Sequence, residues 1–188
     1  MTSWYIWFCV QTTAVNSSRV ALHRRLGVIG ITIAVLVLIS GVAVALGLAP
    51  RLLEKYGDIE SDFARIVGIV WGNLGTLVAF AGFILAAVLN RRKPEVHKRL
   101  MYLASIGILL PAIGRIAKFP MIDLPEPLLA FACLLTLLVM LGIFDRINIG
   151  RVHQVTLIGG LALFAGLIFF GLVVPLTSFG HSFILALV

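Results

Sequence analysis

The sequence predicts an all-α membrane protein: a bundle of five transmembrane helices, preceded by an N-terminal interfacial or partial sixth helix. Three observations lead there. Of the 188 residues, 61% are hydrophobic and 12% charged, against about 45–50% and 25% in a soluble domain, and the mean hydropathy is +1.11. Five runs are apolar enough for a hydrocarbon core about 30 Å thick, which takes about 20 helical residues to cross. The basic residues cluster at alternate ends of those runs, as the positive-inside bias requires. Together these features exclude a water-soluble globule, a disordered chain and a collagen-like one.

Residues 1–18 open with Trp4, Tyr5, Trp7 and Phe8, aromatic side chains that suit the membrane–water interface. Gln11, Thr12, Thr13, Asn16, Ser17 and Ser18 make the second half poor lipid-facing material. A basic leader and a small-residue cleavage site are lacking, so this is a poor export signal; an apolar stretch starting at Met1 leaves open whether part of a helix lies upstream. Residues 19–188 form the five-span domain, with spans at about 26–49, 66–89, 97–119, 127–144 and 152–174. The third span contains Pro111 and, near its far end, Arg115. Pro125 and Pro127 precede the fourth, and Asp145 follows it. Pro175 stops the fifth. On these bounds no Asp or Glu falls within a span, and a carboxylate proton relay is not expected.

The net charge of +7 reports topology. With the N-terminal segment inside, Arg19, Arg24, Arg25, Arg91, Arg92, Lys93, Lys98, Arg99, Arg146 and Arg151 all lie on the cytoplasmic side. The inside then carries +8 and the outside −1. A bacterial cytoplasmic-membrane protein with its C-terminus outside follows. The basic residues bracket helices and form no single face, so the expected partners are the lipid bilayer, anionic phospholipid headgroups and other membrane-protein subunits, with no nucleic acid. Cys9 and Cys133 are too few for a disulfide framework and are expected to pack. Small residues allow close helix approach in lipid. Gly68, Gly72 and Gly75, Gly27, Gly30 and Gly41, and Gly159, Gly160 and Gly166 therefore place spans one, two, three and five in the tight bundle, with the fourth peripheral.

A short repeat supplies the candidate site. His23-Arg24-Arg25-Leu26 opens the first span, His97-Lys98-Arg99-Leu100 the third, and a weaker copy, Arg151-Val152-His153-Gln154, the fifth. Each His is expected about one turn inside its helix, at similar depth. The plainer role is anchoring, with the basic residues on lipid phosphates and each imidazole on a headgroup or loop carbonyl. The functional alternative is ligation of haem b or another metal by His23 with His97, His153 being second choice, and with Arg25 and Arg99 meeting haem propionates or lipid phosphates. Asn73 and Arg115 are the expected buried polar groups, Asn73 in an interhelical hydrogen bond and Arg115 as a snorkelling anchor or the partner of Asp58, Asp62 or Glu126.

The run Arg91-Arg92-Lys93-Pro94-Glu95-Val96-His97-Lys98-Arg99-Leu100-Met101, with Pro111-Ala112-Ile113-Gly114-Arg115, resembles a family of small uncharacterised bacterial inner-membrane proteins with a His-Lys-Arg-Leu-Met helix boundary. Boundary histidines on parallel helices also distantly resemble b-type cytochrome bundles and proteins that assist respiratory-oxidase assembly, although matched His pairs near both membrane faces are lacking. No phosphate-binding glycine loop, His-Glu-x-x-His or Gly-x-Ser-x-Gly occurs. The expected function is that of an accessory or assembly subunit of a larger membrane complex, more a non-enzyme than an enzyme. The alternatives are a haem- or metal-binding redox protein and a small-solute transporter.

Overall fold

A computed structural model describes residues 1–56, 60–116 and 125–187. Among them the regular structure is entirely helical: α1 (Thr2–Asn16), α2 (Val20–Leu46), α3 (Leu48–Tyr56), α4 (Glu60–Leu89), α5 (Pro94–Ile116), α6 (Glu126–Ile149), α7 (Gln154–Ile168) and α8 (Ser178–Leu185). Among the described residues, five helical stretches are long and apolar enough to cross a membrane: Val20–Glu54, Phe63–Leu89, Pro94–Ile116, Glu126–Ile149 and Gln154–Leu176. Among the described residues the fold is all-α, and its five long apolar helices are compatible with a multi-pass membrane protein.

The chain divides into two compact units, Met1–Val44 and Ala45–Val188. In the first, α1 and α2 are joined by a turn in which Ser18 takes a positive φ of 58°. The indole of Trp7 lies on Gly30, 3.1 Å from where a Cβ would stand, so a larger residue at 30 would push the ring away. α1 is 15 residues long, about 22 Å at 1.5 Å per residue, shorter than a hydrocarbon core. Cys9 is exposed and Cys133 partly covered, so of the two cysteines expected to pack, Cys9 does not.

The second unit holds the bundle. α3 lies mostly between the expected first and second spans, where the sequence indicates no helix. Pro50 occupies the first turn of α3, where its missing N–H costs nothing, and Ala49, Leu52 and Leu53 lie against Ile66, Val67 and Val70 of α4. After α4, Asn90 donates from Nδ2 to Ala86 O at 2.9 Å, and Pro94 begins α5, three residues ahead of the expected span start at 97. Residues 117–119, the expected end of the third span, lie outside the described residues. α5 is the central helix, with more than half of its apolar stretch buried, whereas α6 is mostly exposed. It packs on α4, α6 and α7. Leu103 and Ile106 of α5 meet Leu134 and Leu141 of α6 and Leu163 of α7 in one cluster.

Glycine sets the close approaches. A Cβ on Gly159 of α7 would strike the Leu103 side chain, one on Gly75 of α4 would strike Phe170, and one on Gly107 of α5 would stand 3.2 Å from Leu163. Within the second unit spans two, three and five pack closely and the fourth is peripheral; the expectation from the small residues also includes span one in the tight bundle. The first span is divided between the units: its residues 20–44 belong with α1 to the first and 45–54 to the second.

The fifth span does not stop cleanly at Pro175. α7 passes through a π-helical turn at Phe169–Val173 and a 3-10 turn at Val174–Leu176, because proline offers no N–H and its ring crowds the carbonyl four residues back. Thr177 then caps α8, its Oγ1 accepting from Gly180 N at 3.0 Å and donating to Val174 O at 2.7 Å. Trp71 donates from Nε1 to Gly180 O at 3.2 Å and lies among Phe170, Phe179 and Phe183.

Candidate functional site

The sequence brings two charged residues inside the bundle. Arg99 is the sixth residue of α5, and Asp145 is the fifth from the end of α6, so each lies about 6–8 Å in from its helix end. Both side chains are 0% exposed. The fourth helix runs to Ile149, past the expected limit at 144, and closes on Gly150 in the left-handed conformation at φ 72°, the usual glycine stop. Asp145 is therefore within the helix, correcting the expectation that no carboxylate enters a span.

The geometry is that of a closed clamp. Asp145 Oδ1 accepts from Arg99 Nε at 2.8 Å and from Nη2 at 2.5 Å. Its other oxygen, Oδ2, accepts from Thr156 Oγ1 at 2.5 Å and from the His153 backbone N at 3.0 Å, both at the start of α7. A carboxylate offers about four lone-pair sites, and here all four are filled. Arg99 Nη1 donates to Glu95 O at 2.6 Å and Glu95 Oε2 at 2.7 Å. Lys98 shares Glu95 at 2.8 Å and lies 5.4 Å over the Phe144 ring. One arginine and one aspartate thus fasten α5, α6 and α7 at a single level. Unpaired, either charge would be too costly to bury; paired and fully hydrogen-bonded, the two are tolerable.

This arrangement corrects the reading of Arg99 as a propionate or lipid-phosphate contact, since Asp145 holds it away from the surface. Arg25 is exposed and keeps that option. His97 is the fourth residue of α5, about one turn in as expected, and its Nδ1 donates to Ala87 O at 2.8 Å, tying α5 to the last turn of α4. His153 is the N-cap of α7, one position outside the helix; its Nδ1 accepts from Val155 N at 3.1 Å. Two of the three imidazoles thus each engage the backbone through Nδ1, while His23, the fourth residue of α2, belongs to the other unit. Among the described residues no group of three or more His, Cys, Asp or Glu is placed to hold a metal ion.

The remaining polar expectations also shift. Asn73 is half-buried and donates from Nδ2 to Ile69 O of its own helix at 2.7 Å, an intrahelical bond in place of the interhelical one. Arg115 is exposed near the end of α5, correcting the expectation of a buried polar group and fitting a snorkelling anchor. Asp58 and the Asp62 side chain lie outside the described residues, while Glu126 has its carboxylate against Gly114. His181 on α8 meets Phe63 edge-on at 5.5 Å.

Asp145 is the site residue that the sequence reading passed over. Gly150 was the available signal, because a glycine stop there extends the helix beyond 145. Protein-family models, curated proteins and solved structures were compared with the chain, and none matches.

Proposed function

We propose that this chain is an accessory or assembly subunit of a larger complex in a bacterial cytoplasmic membrane, with its C-terminus outside and the Arg99–Asp145 clamp at the cytoplasmic end. The observation that carries this reading is the closure of the clamp. The ionised groups buried in the bundle bond to one another and to helix ends, which is a use in holding helices together and not in turning over a substrate. A carboxylate serving a transport path would face a water-filled cavity; Asp145 faces four donors.

The helix surfaces point the same way. Some glycines are used within the chain, but Gly82, Gly142 and Gly166 have nothing within 4 Å of a built Cβ. Small residues on membrane helices favour close docking of another helix, and partner subunits would supply one. The expected result of mild solubilisation from native membranes is co-purification of a stoichiometric membrane partner. Recovery of a lone monomer under conditions that preserve known complexes contradicts the proposal. An absorbance spectrum separates the redox reading: a Soret band with haem by pyridine assay would favour it, and this account expects neither.

A further inference from the structure

The unit Met1–Val44 carries a charge pattern unlike that of the bundle. Its charged side chains are Arg19, Arg24 and Arg25, and the first carboxylate in the chain is Glu54. All three arginines are exposed and fall within seven residues at the turn between α1 and α2. In the bundle, by contrast, Arg99 has its own aspartate. Three guanidinium groups at a membrane boundary with no carboxylate in their own unit attract anions from outside it.

An open groove of about 650 Å³ runs along this unit, within the range of about 300–1,000 Å³ usual for small-molecule sites. Ile6, Val10 and Leu22 make its wall apolar, while Thr13, Ser17 and Arg19 also line it, Ser17 and Arg19 from the turn between the helices. Ile6 is 62% exposed and Val10 and Leu22 about 41%, so the wall is open to whatever surrounds the helices. An apolar channel that reaches an arginine and two hydroxyls matches a molecule with an alkyl chain and an anionic head.

We propose that this groove is a binding site for an anionic phospholipid, with an acyl chain along Ile6, Val10 and Leu22 and the phosphate at Arg19, Ser17 and Thr13. The inference stands apart from the subunit reading above. It is tested by native mass spectrometry of the full chain in detergent, titrated with phosphatidylglycerol and with phosphatidylcholine of the same chain length. The expected result is preferential retention of phosphatidylglycerol. The preference falls about fivefold in R19Q, the factor for one arginine near an anionic surface, and is unchanged in R51Q, a control at an exposed site on α3. V10W, which fills the channel, lowers retention of both lipids. Glycerol phosphate without acyl chains, added in excess, does not displace the lipid. Equal retention of the two lipids by the unmodified chain, an undiminished preference in R19Q, or displacement by glycerol phosphate overturns the proposal.

Discussion

Arg99 and Arg115 occupy the same helix and have opposite fates. Arg99 is sealed against Asp145, whereas Arg115 is exposed. Removing one partner of a buried pair leaves an uncompensated charge and costs about 3–5 kcal/mol. D145A is therefore expected to lower the midpoint of thermal unfolding in detergent sharply, and T156V, which removes one of the four donors to the buried carboxylate, by the equivalent of about 1.5–3 kcal/mol. R115L is expected to stay within about 0.5 kcal/mol of the unmodified chain. A D145A protein as stable as R115L would refute the clamp. Arg99 was legible in the sequence as a boundary arginine, but its partner was not, because the two are 46 positions apart and pairing across helices leaves no local spacing. Asn73 was misread for a related reason: sequence shows a polar residue inside a span, not that the carbonyl four residues back will satisfy it.

Elements were read more securely than partners. Span existence follows from runs of apolar residues, a property of the chain alone, and the five spans follow it. Their ends depended on stop signals of unequal clarity. Pro94 starts α5 with His97 one turn in, while α6 runs on to Gly150 and α7 passes Pro175 by changing its turn geometry. α3 was missed because Arg51, Glu54 and Lys55 made residues 50–65 look like a loop, yet its apolar positions lie on one face against α4. The glycines make a prediction at this scale. G159L places a large side chain where Leu103 already stands, and overpacking of about 1–3 kcal/mol or more is expected. G142L meets open space within the chain, so unfolding of the isolated protein should be unchanged while recovery of a partner falls. If G142L behaves as G159L does, the contrast between filled and open glycines fails.

For the whole molecule, charge and packing tell one story at two ends of the sequence. The +7 net charge is read as a cytoplasmic excess, and reporter fusions after Lys93 and after Val188 are expected to place the first inside and the second outside; the reverse pattern would invert the topology. The bundle itself is a core of α4, α5 and α7 with α6 alongside, fastened at one end by a salt bridge that three helices share. That assembly could not be read from the repeat His-Arg/Lys-Arg-Leu alone, because the repeat marks helix starts and its second copy holds an arginine whose fate depends on a distant aspartate. The most direct measurement is the paired replacement R99M/D145L, assayed for thermal stability and for partner recovery from native membranes. If the charges serve only to hold helices, the double variant regains most of the stability that D145A loses and still brings down the partner at its native ratio. A double variant that folds with full stability but recovers no partner would contradict the account, because the charges would then have a role beyond the clamp.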